Sequence, residues 1–184
     1  MRYEHSLFRQ INIDFKDLDF TELQGRQQTN FGGVFREYSV PPLDLLSDLL
    51  KDRVKFHRRP DLVNITEIHS PGVAPHVDQW PTALNFYFDA QGGDSTVFYK
   101  KPNEHVKSRG SKYKAFDAQD LEFDRSFVVL QGQCWLLNTS IPHSVTVSQT
   151  KTKRSMLRLA WSQGSFEEIY SSIELFFKLY KTKR

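Results

Sequence analysis

The sequence predicts a mainly β, single-domain protein built as an antiparallel sandwich or barrel. Three observations carry that expectation. Residues 63–69, 82–89, 95–101, 126–130, 134–138, 144–147 and 154–161 are short runs rich in β-branched and aromatic side chains, as strands are. Gly72, Gly92-Gly93 and Gly132 fall between them, where turns need residues with backbone freedom. No stretch of helical period separates these runs, which argues against a sheet of parallel strands joined by helices. At 184 residues the chain suits one domain, here 1–184, with its core over about 63–162.

Taken in order, residues 1–62 are read as N-terminal strands followed by a helix. Residues 11–15 and 34–38 alternate apolar with polar side chains and predict edge strands. Gln27-Gln28-Thr29-Asn30 reads as a flexible connection, and Gly32-Gly33 as a turn. Pro41-Pro42 opens a helix over 43–50, because Leu43, Leu46, Leu49 and Leu50 share one helical face. The core strands follow, interrupted by a charged, lid-like insertion over 102–124. Phe166, Ile169, Ile173, Phe176, Phe177 and Tyr180 form an apolar stripe that predicts a C-terminal helix over 166–180, packed against a sheet.

Composition narrows the setting. A 39% hydrophobic and 14% aromatic content is that of a folded chain rather than a disordered one. The single cysteine, Cys134, lies in an apolar strand and rules out an intrachain disulfide. The first ten residues lack the apolar core of a secretory signal, and no apolar run reaches membrane-spanning length, so the expected location is cytoplasmic. A net charge of +3 does not by itself call for nucleic acid.

The chemistry begins at His76-Val77-Asp78. On an extended chain, side chains two residues apart point the same way, so one imidazole and one carboxylate can share a metal. His143 follows a polar turn at the start of a later strand, where a rolled sheet can bring it to the same place. Two imidazoles and one carboxylate make the facial triad typical of non-haem Fe(II), with three adjacent positions left open. Eleven residues on comes Arg154, and four further Arg158, on one face of a strand whose other face carries Leu157, Leu159 and Trp161. Inward arginines need partners, and a dicarboxylate ligand would supply one through the bidentate guanidinium fork.

These pieces together resemble the Fe(II)- and 2-oxoglutarate-dependent dioxygenases, especially their prolyl-hydroxylase-like branch. The resemblance runs over about 64–161, a little over half the chain. It rests on His76-Val77-Asp78, Leu84-Asn85-Phe86-Tyr87-Phe88, Gly92-Gly93-Asp94-Ser95-Thr96-Val97-Phe98, Gly132, Pro142-His143-Ser144-Val145, Arg154 and Ala160-Trp161 in that order. It implies a double-stranded β-helix, or jelly-roll, core of cupin type with flanking N-terminal and C-terminal helices. It also implies that His76, Asp78 and His143 bind Fe(II), and that Arg154 holds the distal carboxylate of 2-oxoglutarate with Tyr87 sharing it. Arg158 would reach the substrate or the other end of the cosubstrate. The interval from His143 to Arg154 is slightly longer than in many prolyl hydroxylases, so either arginine can be the main anchor. The implied reaction consumes dioxygen, decarboxylates 2-oxoglutarate to succinate and CO2, and hydroxylates a substrate C–H bond.

The substrate is less defined. The branch points to a peptidyl prolyl or other protein residue, with a small molecule or a nucleobase as alternatives. Trp80, just past the triplet, either lines the substrate mouth or simply packs. His69 is either a strand-end histidine with a local hydrogen bond or a substrate contact. Lys100, Lys101, Lys107, Arg109, Lys112 and Lys114 surround the insertion and form a solvated face, or else, with Tyr113, hold an anionic or nucleic-acid substrate. The competing class is a non-catalytic cupin-type module that binds metal or serves as structure. The paired inward arginines separate the two, since a plain metal-binding cupin needs no carboxylate clamp.

Overall fold

The structure, a computed structural model, describes residues 6–31, 34–40, 48, 50–90, 92–100, 114–148 and 153–176. Its core is two antiparallel sheets facing each other. The larger has seven strands: β1 (Phe8–Ile11), β2 (Gln27–Phe31), β3 (Phe35–Ser39), β5 (Leu62–His69), β7 (Thr82–Asp89), β11 (Cys134–Asn138) and β13 (Lys153–Trp161), in the spatial order β1-β11-β7-β13-β5-β3-β2. The smaller has β6 (Gly72–Val77), β8 (Ser95–Tyr99), β9 (Lys114–Ala115), β10 (Phe123–Val128) and β12 (His143–Thr146), ordered β10-β8-β12-β6-β9. From β5 to β8 and again from β11 to β13 the chain crosses from one sheet to the other at each turn, which winds it into a jelly roll.

Period-2 alternation assigns each side chain to a layer. Ile68, Tyr87, Leu137 and Met156 of the large sheet meet Phe98, Phe127, Val145 and Val147 in the space between the sheets. The neighbours in sequence, among them Ile65, Leu84, Phe86, Leu136, Leu157, Leu159 and Trp161, point to the opposite face. There they are covered by Ile11, Ile13, Phe15, Phe20 and Leu23 of the N-terminal segment and by Phe166 and Ile169 of α1 (Phe166–Ser171). Burying each such side chain contributes about 1.5–3 kcal/mol, so this outer layer holds the large sheet flat against its partner.

The flanking elements differ from expectation. Helix α1 ends at Ser171 rather than 180. Ser172 closes it, its N–H meeting the carbonyls of Glu168, Ile169 and Tyr170. The chain then extends as β14 (Ile173–Leu175), pairing with β4 (Val54–Phe56). Ile173 fits both the helical stripe and a strand alternation with Leu175, and the pairing with β4 decides it. Residues 177–180 lie outside the described residues. The expected helix over 43–50 also falls mostly outside them; Asp48 and Leu50 are helical, and Leu50 is buried.

Gln27–Phe31 is a paired edge strand, not a flexible connection, because β3 offers it a hydrogen-bonding edge. Of the insertion, residues 102–113 lie outside the described residues. Its later part belongs to the small sheet: β9 pairs with β6, and Phe116 is buried. No helix among the described residues is long and apolar enough to cross a membrane.

Candidate functional site

The small sheet brings the two histidines together. β12 lies between β8 and β6, and its register sets His143 directly opposite His76 on one side and Phe98 on the other. The imidazole centroids are 4.4 Å apart, and Phe98 stacks on His143 at 5.5 Å. His76 Nδ1 lies 2.8 Å from the Ala74 carbonyl and His143 Nδ1 3.0 Å from the Ile141 carbonyl. A carbonyl only accepts, so Nδ1 carries the hydrogen in both rings and Nε2 is turned inward.

Both Nε2 atoms face Asp78, His76 at 3.3 Å from Oδ1 and His143 at 3.8 Å from Oδ2. Asp78 is the first residue beyond β6. Its N–H donates to the Thr139 carbonyl at 3.0 Å, while the Thr139 hydroxyl donates to the Trp80 carbonyl. Thr139 thus pins the β6–β7 turn at both ends of the Asp78–Trp80 segment. The potential ligand atoms of His76, Asp78 and His143 all lie within 4.8 Å of one another. Two imidazoles with fixed tautomers and one carboxylate are a donor set that fits a divalent transition metal, with the backbone carbonyls as the outer partners that orient the rings.

The large sheet faces this cluster with two arginines. Arg154, Met156 and Arg158 of β13 line the same cavity of about 250 Å³ as the triad, while Leu157, Leu159 and Trp161 lie in the outer layer, as the alternation requires. Arg154 is 1% exposed and donates to the Ser95 carbonyl at 3.4 Å and the Thr96 hydroxyl at 3.2 Å. Its guanidinium lies 5.1 Å from the Tyr87 ring centre, and its Nε has no hydrogen-bond partner among the described residues. Arg158 donates from Nη2 to Asp78 Oδ2 at 2.5 Å.

Charge is shared unevenly. Burial pushes the Asp78 carboxyl up, but Arg158, the hydrogen bond from His76 and both imidazoles outweigh it and hold the group well below the usual carboxylate range. Burial and the neighbouring His76 push His143 down to about 4. His76 is held above its ordinary value because the hydrogen bond and charge of Asp78 outweigh its burial. Burial lowers Arg154, against the attraction of Tyr87 and Asp94.

Of the other expected site residues, Tyr87 is fully buried beside Arg154, its hydroxyl accepting from Asn85 Nδ2 at 3.1 Å. Trp80 is half-buried on the β6–β7 turn and does not line the cavity. His69 is not brought to it either. Residues 66 and 68 of β5 point inward, so His69 points outward, 3.6 Å from Glu67. Sequence reasoning missed Thr66, Asn85, Thr96 and Thr139, all of which line the cavity. The signal was a polar residue in the inward phase of an otherwise apolar strand for the first three, and a hydroxyl in the turn before His143 for the fourth.

Compared with known proteins, the chain matches no protein-family model. It matches no curated protein sequence either. Among solved structures it is similar to the ribosomal oxygenase YcfD of Escherichia coli, at 13% identity and a TM-score of 0.43 over 74% of this chain and 34% of that one. It is similar also to the vicilin of Corylus avellana, hazelnut, at 14% identity and a TM-score of 0.39 over 83% of this chain and 32% of that one. A third is hydroquinone 1,2-dioxygenase from Sphingomonas sp. TTNP3, at 13% identity and a TM-score of 0.40 over 60% and 68%. The chain spans about a third of the length of the first two. These likenesses do not single out the prolyl-hydroxylase branch.

Proposed function

We propose that the protein is an Fe(II)- and 2-oxoglutarate-dependent oxygenase that hydroxylates a C–H bond. The observation that carries this reading is Arg154. It is a fully buried guanidinium facing the same cavity as His76, Asp78 and His143, and among the described residues its hydrogen-bond acceptors are neutral. With a divalent ion held by the triad, the cavity would contain two guanidiniums and the ion against, among the described residues that line it, the one carboxylate of Asp78. A dianion answers that surplus, and a dicarboxylate can do so at two points, one end at Arg154 and the other at the open metal positions.

Iron bound here would supply the redox centre for dioxygen. The chain's own part is positional. Asp78 and the two Nε2 atoms would hold the ion, Thr139 fixes the turn bearing Asp78, and Arg154 with Thr96 and Tyr87 would orient the cosubstrate. Phe35, Ile68, Val73, Leu137, Val145 and Met156 form an apolar wall that excludes water and suits a hydrocarbon group as the reacting part of the substrate. The motif order favours a peptidyl residue as substrate, with a small molecule or nucleobase as outcomes of a substrate screen, and a cytoplasmic location suits a reduced iron.

The test is an anaerobic titration of the metal-free protein with Fe(II) and then 2-oxoglutarate, followed in the visible range. A charge-transfer band of a chelated keto acid, lost in His76→Ala, is the expected result. Folded protein that binds iron without that band belongs instead to a non-catalytic cupin-type module. One observation favours this second reading: the Arg158–Asp78 ion pair satisfies the carboxylate without any metal.

A further inference from the structure

Asp78 has two oxygens and three suitors. Oδ1 lies nearest His76 Nε2, at 3.3 Å, whereas Oδ2 lies 3.8 Å from His143 Nε2 and 2.5 Å from Arg158 Nη2. All three side chains around it are largely buried, with side-chain exposures of 15% for His76, 5% for His143 and 11% for Arg158. Arg158 is held on the central strand β13 between Asn85 of β7 and Asn64 of β5. It reaches Asp78 across the gap between the sheets, while both histidines come from the opposite sheet.

We infer that Arg158 competes with the metal for Asp78, restricting the carboxylate to one metal-binding oxygen and keeping the site's affinity low enough for the ion to exchange. The inference rests on the reading of His76, Asp78 and His143 as the metal site. Two physical effects point the same way. A guanidinium bonded to Oδ2 removes electron density that a bidentate carboxylate would give the ion, and leaves Oδ1 as the oxygen on offer. Its positive charge also stands beside the incoming dication in a cavity screened from water, where like charges repel far more than in solvent. Arg158 is thereby a positioning residue, acting on the metal through Asp78.

Cobalt(II) titrations of the full chain test this, read by visible absorption and calorimetry and requiring no turnover. Arg158→Met, similar in length and uncharged, is expected to bind cobalt at least about tenfold more tightly than wild type while the metal-free protein melts lower. Arg158→Lys, which keeps the charge, is expected to stay within about threefold of wild type. A purely structural role predicts the reverse order, since a loosened Asp78 would bind cobalt more weakly in Arg158→Met. If that variant does not fold, Arg158→Leu, neutral and likewise unable to donate to Oδ2, gives the same comparison. Folded neutral variants that bind cobalt no more tightly than wild type overturn the inference and leave the metal site standing if His76→Ala abolishes binding. Unchanged cobalt affinity in His76→Ala overturns the metal site itself, and the inference with it.

Discussion

Arg154 combines full burial with uncharged hydrogen-bond acceptors, and the attraction of Asp94 does not undo the penalty that burial imposes on its charge. Replacing it with methionine should therefore split two measurements. Calorimetry of the metal-loaded protein with 2-oxoglutarate should show affinity reduced by about 100-fold or more, whereas the melting temperature of the ligand-free protein should hold or rise. A fall in both would make Arg154 a structural residue. His143 gives a second prediction at this scale. Its folded pKa of about 4 lies below the ordinary 6.5, so between those values the unfolded chain binds the proton and the native state does not. Stability of the metal-free protein should fall as pH drops from about 6.5 to about 4. His76, raised, is already protonated on both sides of folding through most of that window, and Asp78 changes only below it. Thermal melts across the window should show this slope, and His143→Gln should flatten it.

At the scale of elements, the pairing of β6 with β12 decides whether the two imidazoles meet. Gly72 opens β6 with φ of +119°, and a Cβ there would meet the Val145 carbonyl oxygen at 1.9 Å. Gly72→Ala should spread β6 from β12 and separate His76 from His143, lowering cobalt affinity by about 100-fold or more in protein that retains its β circular-dichroism spectrum. Helix α1 is a control of the opposite kind. Ser165 and Glu168 form a reciprocal capping box, and the helix covers the outer face of the large sheet, away from the cavity. Ser165→Ala should reduce stability by about 1 kcal/mol in a denaturant titration and leave cobalt affinity unchanged.

For the molecule as a whole, the cavity is the seam between the two sheets, with the triad on one side and both arginines on the other. A divalent ion alone should stabilise the native state by about 2.7 kcal/mol at a hundredfold excess over its Kd, read as a rise in melting temperature that a chelator reverses. Succinate, an unreactive dicarboxylate, should add a further increase only when the ion is present, because only then can its two ends tie one sheet to the other. A succinate effect of equal size without metal would show that Arg154 alone holds the anion.

The β-rich core, its antiparallel character, the three potential metal ligands and the two inward arginines were all legible in the sequence. Period-2 alternation and turn residues are local properties, and strands at 82–89 and 134–138 are found where the pattern put them. Local pattern could not tell a helix from a strand at 173–175, nor see that Gln27–Phe31 would gain an edge to pair with, because a strand exists only through its neighbour. The same limit governs the site. Sequence placed His76, Asp78 and His143 in one group, but the register that sets the histidines opposite each other belongs to the folded sheet. So does the contact of Arg158 with Asp78, 80 residues apart, which gives a residue expected to reach the substrate or the cosubstrate a partner among the three potential metal ligands. Residue type and spacing determine which groups can reach one face, and only the packing of two sheets decides which of them meet.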